Sequence, residues 1–470
     1  MKIKHLFLTA LVVGSLASCS KDDDGPNEPV YQQIETGLSI STTSNSGLVG
    51  KADTKSEETT PGAKSERKIK TLTAVVFYED GTFATTKTVT DPDQDENFNT
   101  SIDNIIVKVA ATEAGQVSDT KLKIFLLANV SVPSEALASY DAFVNSSFAG
   151  ITNYSFEKVM KNEQKEEGGQ YIPMGSKELA VTNLLAGTAY NNQVENSAEP
   201  IYTSNEDATK NKVLQLDNGK YTPSEETYEP NNRISLTRYV ARVQLESLEA
   251  DFEANYKEAE FTLTSISMAN VSNASRWVEN ENNSLQSVNY TDENAFYRGF
   301  PEKITRADYY LARSTYDKTT FSKDYTGNNL VISGIKTIEF ADKTLEEPND
   351  KPEMAQFYVF EFESEKVTPD PGKEDLPSTA SANINTMLII TGQWKNGSIN
   401  EERSFRIPIR HDNGKPKDYQ VKRNYIYKVH ATLTGEGTNN PDKSMLNAFV
   451  SFYIDVQPWK VIIQNESDVN

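Results

Sequence analysis

The side chains of this 470-residue chain that could do more than pack are few: three histidines, one cysteine and a run of alternating aspartates. His5 immediately precedes an N-terminal apolar segment, and neither His411 nor His430 has a second ligand at the spacing of an HExxH zinc site, so both read as structural. Asp91, Asp93 and Asp95 start like a calcium loop. Glu96, however, stands where the sharp turn needs glycine and Ile102 where the closing glutamate belongs, so the run reads as a solvated turn. Gly435-Glu436-Gly437 follows a strand pattern but opens no helix and lacks the third glycine of a dinucleotide fingerprint. Nucleophile-elbow and phosphate-loop patterns are absent. The 22 tyrosines and 20 phenylalanines could stack on sugars, yet most fall at strand-core positions. The expectation is a protein that is not an enzyme, with no catalytic residues, no metal and no cofactor.

Cys19 is the single cysteine, which rules out an intrachain disulfide and a cysteine-based zinc site. Its surroundings suggest another role. Lys2 and Lys4 make a basic start, residues 6–16 form an apolar segment too short to span a bilayer, and small residues precede the cysteine. The sequence Leu16-Ala17-Ser18-Cys19 resembles the lipobox of bacterial lipoproteins, which implies a signal peptide at 1–18 and acylation of Cys19. Acyl chains contribute about 0.8 kcal/mol per buried CH₂, and two or more hold a protein stably on a membrane. With 68 acidic against 47 basic residues and a net charge of −21, the chain repels a phosphate backbone, so no nucleic-acid partner is expected.

The elements around these residues read as strands. A chain of this length suggests two or more domains of about 100 to 200 residues, and two are expected. After a polar tether at 20–29, Ile34, Thr36, Leu38, Ile40 and Thr42 alternate with Glu35, Gly37, Ser39 and Ser41, the period of a half-buried strand. Residues 43–66 then form a long polar loop with no means of burying itself, open to a protease; Lys51, Lys55, Lys64 and Arg67 are the candidate processing positions. Strands are expected at 72–78, 105–110 and 121–128, short amphipathic helices between 134 and 159, and more β structure at 172–175 and 177–181. A boundary is placed near 231–232. Beyond it, strand patterns recur at 236–248, where apolar residues alternate with basic or polar ones, and at 261–271, 330–340, 357–362, 386–394 and 405–409. Residues 425–433 and 448–456 are strand patterns separated by a turn-rich run, and the alternation resumes at 459–463. Many short strands without βα alternation mean a mainly β chain: two antiparallel β-sandwich domains with a few short accessory helices. The expected organisation is a signal peptide at 1–18, a tether, first strand and cleavable loop at 19–67, an N-terminal sandwich at 68–232, and a C-terminal sandwich at 233–470. A terminal strand is an edge that another chain can join.

Arg423-Asn424-Tyr425-x-Tyr427 leading into Leu433-Thr434-Gly435-x-Gly437-Thr438-Asn439-Asn440-Pro441, and then Val456-x-x-Trp459-x-x-x-x-Gln464-Asn465, resembles the C-terminal end of the FimA-type fimbrillins, shaft subunits of type V pili in Gram-negative anaerobes. Residues 69–78, 126–129 and 238–245 echo the same family in the same order. The resemblance implies transthyretin-like domains, export to the outer membrane as a lipoprotein, and a cut by a trypsin-like protease in the loop after the first strand. It further implies that Ile34, Leu38 and Ile40 leave with the first strand and that another subunit's C-terminal strand enters the vacated groove. Trp459, Val461 and Ile463 are the first candidates to insert, with Phe452, Ile454 and Val456 next. The implied partners are copies of the chain or related fimbrial subunits, the protease, and the outer membrane through the precursor's lipid; the product is an extracellular fimbrium supporting adhesion. In the family the cut usually follows an arginine soon after the first strand, whereas here Lys51 and Lys55 are nearest and Arg67 abuts the next strand. Two alternatives stand beside the shaft role. One is an anchor or tip component of the same system; the other, from a different class, is a glycan-binding surface lipoprotein that does not polymerise.

Overall fold

The computed structural model describes residues 30–43, 64–90, 101–149, 158–159, 161, 167–182, 184–187, 201–203, 214–215, 234–252, 254–269, 271–272, 274–278, 296–297, 321–327, 330–341, 351–363, 366–367, 382–383, 386–409, 411, 420–438 and 449–458. Among these the chain is mainly β, in several sheets that are largely antiparallel, with little helix. Two buried clusters organise them.

The first cluster is built by β1 (Gln32–Thr43), β2 (Thr71–Tyr78), β3 (Phe83–Thr90), β4 (Ser101–Ala111), β5 (Leu122–Ala128) and β6 (Leu179–Thr182). One sheet runs Ile201–Thr203, β6, β5, β2, β3. In β2 everything from Leu72 to Phe77 is buried, because neighbouring layers cover both faces; such a strand reads as a continuous apolar run. β3 is the opposite case. It closes one edge of that sheet with Thr, Lys and Ala along a largely open face, so hydrophobic periodicity gives no sign of it. The short helix α1 (Tyr140–Val144) starts at Ser139, whose hydroxyl accepts from Ala142 N at 3.0 Å, and drives Phe143 between Phe125 and Trp277.

The second cluster is enclosed by β7 (Val240–Asp251), β8 (Glu260–Ala269), β9 (Ile335–Glu339), β10 (Gln356–Phe360), β11 (Met387–Asn396), β12 (Ile399–Pro408), β13 (Tyr425–Leu433) and β14 (Val450–Pro458). β8, β11 and β12 pair antiparallel in that order. In the other sheet β9 and β10 share one edge of β7, β13 lies on its other edge and β14 outside that. β7 and β13 pair parallel, against the antiparallel expectation; strands so distant in sequence are free to meet in either sense.

Three sequence expectations need adjustment. The strand expected at 405–409 is the end of β12, whose start, residues 399–402, is exposed and shows no apolar period; Gly397, at φ +59, closes its hairpin with β11. The segment at 330–340 divides at Gly334, at φ +61, into Val331–Ser333 and β9. Most consequential, the basic and polar partners along 236–248 do not face water. Arg238, Arg242 and Gln244 are buried together with Ala241 and Val243, because this stretch lies where the two clusters meet.

Candidate functional site

β1 is the element on which the expected chemistry turns. It pairs antiparallel with β4 from Gln32↔Ala111 to Ser41↔Ser101, with an irregularity between Leu38 and Ile40. Among the described residues its other strand pairings are short: Leu214–Gln215 antiparallel and Ile234–Ser235 parallel. Leu38 and Ile40 are fully buried in the first cluster and Ile34 is half-buried against it, beside Ile102, Ile105, Val107 and Val109 of β4. Thr36 Oγ1 donates to Leu185 O at 2.6 Å, and Gly187 N donates to Glu35 O at 3.0 Å. The alternation read from the sequence therefore corresponds to a strand with one face in the core.

The far end of the polar loop after β1 departs from expectation. Residues 43–66 read as a loop unable to bury itself, yet Lys64–Arg67 forms a 3-10 turn in which Ser65 and Glu66 are completely buried. The Glu66 carboxylate accepts from Arg242 Nη1 at 3.0 and 3.1 Å and from the Tyr358 hydroxyl at 2.5 Å, while Arg238 Nε donates to the Glu66 carbonyl at 2.9 Å. Sequence reasoning passed over Glu66; the visible signal was two arginines, Arg238 and Arg242, within one strand pattern. Lys51, Lys55, Cys19, the tether, the apolar N-terminus and Asp91, Asp93 and Asp95 lie outside the described residues.

At the other end, β14 is an edge strand paired with β13 from Tyr425↔Pro458 to Leu433↔Val450. Phe452, Ile454 and Val456 lie half-buried against the second cluster of their own chain. Trp459, Val461 and Ile463 fall outside the described residues. On the outer face the exposed ring of Tyr453 stacks on His430, centroids 4.3 Å apart and 10° from parallel, and His430 Nδ1 lies 2.8 Å from the Ser247 hydroxyl. Burial holds the His430 imidazole below its ordinary 6.5, with Lys428 acting the same way and Glu246 and Asp455 opposing. The sign follows from linkage: the unfolded chain takes up the proton first as pH falls, so this contribution is present above about 6.5 and is lost below it. Thermal melts should therefore fall more steeply on acidification for the native chain than for His430→Gln. Parallel pH profiles would show that the ring does not couple β13 and β14 to pH.

Among the described residues no three metal-ligating side chains gather, and His411 lies buried beside Tyr425 and Tyr427. Comparison with known proteins bears on the strands instead. No curated protein matches the chain in sequence. A cell adhesion protein proposed as such from Parabacteroides distasonis is 16% identical over 92% of this chain and 99% of its own, with a TM-score of 0.50, a likeness of fold. A fimbrilin (FimA) from Porphyromonas gingivalis is 15% identical over 91% of this chain and 99% of its own, with a TM-score of 0.47. The tip fimbrial protein Mfa3 from the same organism is 13% identical over 90% and 100%, with a TM-score of 0.37. The model of the family described as major fimbrial subunit protein (FimA) matches residues 38–238, and such a match supports a structural role in a fimbrium rather than an enzymatic one. The resemblance to FimA-type fimbrillins is thus borne out from Leu38, in the buried middle of β1, through Arg238.

Proposed function

We propose that the chain is a structural subunit of a cell-surface fimbrium that polymerises by donor-strand exchange and supports adhesion. It is exported as a lipoprotein acylated on Cys19, reaches the outer membrane, and is cut by a trypsin-like protease between β1 and β2 before joining the extracellular filament. Each buried cluster corresponds to one sandwich-like domain, meeting near residues 231–240. The observation that carries this reading is the position of β1. It precedes the processing loop, contributes Leu38, Ile40 and Ile34 to the first cluster, and among the described residues has its one long ladder with β4. Once cut, it is held by no covalent bond, and its departure opens a groove over the first cluster with the edge of β4 along one side.

Three apolar side chains at about 1.5 to 3 kcal/mol each give roughly 5 to 9 kcal/mol gross for whatever strand refills the groove, before ordering costs. A copy's C-terminal segment supplies that strand by β-augmentation. Phe452, Ile454 and Val456 are already engaged on their own cluster, so Trp459, Val461 and Ile463 are the inserting residues and β14 is the stem that carries them. The contact is head-to-tail and need not close, so it propagates a filament. Trypsin treatment of the purified full chain should give an oligomer ladder on a gel, and deletion of residues 459–470 should abolish it. Monomers that persist after clean loss of β1 would refute the shaft role.

A further inference from the structure

We propose that Glu66 is a buried latch: it ties the segment between the processing loop and β2 to the second half of the chain, shields the Arg67–Lys68 bond from trypsin-like proteases, and stays in the processed subunit. The inference rests on the processing read proposed above and specifies where that processing cannot occur.

Arg67 is the only arginine between β1 and β2, and by side-chain type alone it is the natural target. Its surroundings argue otherwise. On the N-terminal side, the Glu66 and Arg242 side chains are both 0% exposed, and the carboxylate is clasped by Arg242 of β7 and Tyr358 of β10. Arg238 holds the Glu66 carbonyl and reaches Asn424 Oδ1 at 3.3 Å. On the C-terminal side, Asn129 sits in the left-handed region at φ +59 and binds the backbone repeatedly. Its Nδ2 donates to Lys68 O at 2.8 Å and to Ile172 O at 2.8 Å, while its Oδ1 accepts from Lys70 N at 2.7 Å and Thr71 N at 3.3 Å. Ile69 is buried between them.

A serine-type protease takes its substrate as an extended stretch of several residues with the basic side chain in a specificity pocket. Here Ser65 and Glu66, just before the bond, lie fully buried in a 3-10 turn, and three residues after it the chain enters β2. The bond is reached only by breaking the latch. Burial and the adjoining carboxylate raise the Tyr358 hydroxyl well above its ordinary value, so it stays a neutral donor to Glu66 at neutral pH. A cut after Arg67 would also remove the carboxylate and leave Arg238 and Arg242 buried at the junction without it, a costly state for the product.

The test is limited trypsin digestion of the full chain, with N-terminal sequencing and intact mass of the large product. The latch requires that this product begin at or before Ser65 and so contain Glu66; a product beginning at Lys68 overturns it. In Glu66→Gln, cleavage after Arg67 should rise about a hundredfold, because one partner of a buried ion pair is lost. The double variant Glu66→Gln/Arg242→Met, without an orphaned charge, keeps the experiment decisive if the single variant does not fold, and Tyr358→Phe should raise the rate about tenfold. Unchanged rates in the folded variants overturn the latch. Oligomer ladders from the same digests report separately on the subunit role. Ladders whose subunits begin at Lys68 would defeat the latch alone, whereas monomers that retain Glu66 but have lost β1 would defeat the polymerisation reading alone.

Discussion

Replacing Leu38 with aspartate should destabilise the uncut chain by about 4 kcal/mol or more and leave the processed chain unchanged. Leu38 is 0% exposed within the first cluster. Truncating a buried leucine alone costs about 2 to 5 kcal/mol, and a carboxylate there finds no water and must either take up a proton or pull its strand out. β1 has the second option. It lies at one end of the described chain and has a long ladder only with β4, so the loss is capped at the cost of undocking the strand. Urea denaturation read through Trp277, buried against Phe143 and Phe148 in the same cluster, measures the effect. The variant should also form oligomer ladders before any protease is added, since an undocked β1 leaves the groove open as cleavage does. Wild-type stability in the uncut variant would mean that β1 contributes nothing to the core, and the strand-exchange reading would fall with it.

The second large effect concerns the junction of the two clusters. Replacing Glu361 with alanine should cost about 3 to 5 kcal/mol, the range for breaking a buried ion pair from one side. Arg423 pairs with Glu361 through both Nε and Nη2, the two side chains being only 4% and 11% exposed. The guanidinium also lies over the Tyr239 ring at 4.8 Å and donates to Arg276 O at 3.2 Å. Tyr239 in turn donates to Trp277 O at 2.8 Å, so the pair braces a ring that belongs to the first cluster from a residue beside β13. Without its carboxylate, Arg423 keeps a full charge in a site from which water is excluded. The double variant Glu361→Leu/Arg423→Met should recover most of the loss, because two apolar groups leave nothing unpaired. Equal losses in the single and double variants would assign the effect to packing. Denaturant midpoints at constant slope distinguish the two outcomes.

The strands that read clearly in the sequence are those whose own side chains report their surroundings. β2 and β5 are apolar on both faces because they are covered on both, and β1 and β13 alternate because one face is solvated or polar; hydrophobic period is a direct record of burial. β3 and the first half of β12 lie at sheet edges with water on one side and little apolar content, so their pairing with β2 and β11 leaves no such record. For the site, the apolar residues of β1 and β14 were legible for the same reason. Glu66, Arg238, Arg242 and Asn129 were not: a charged or amide side chain reads as solvated in any linear window, and it becomes a core residue only when partners far along the chain meet it.

By itself, then, the sequence determined a mainly β chain, an opening strand with one apolar face and a closing strand able to pair, because local periodicity and turn residues suffice for these. Tertiary structure alone decided that β1 lies against β4, that β7 and β13 run parallel, and that Glu66 is sealed between Arg242 and Tyr358. Those outcomes depend on contacts between residues far apart in the chain, where desolvation and hydrogen-bond geometry, rather than the pattern of neighbours, set the free energy.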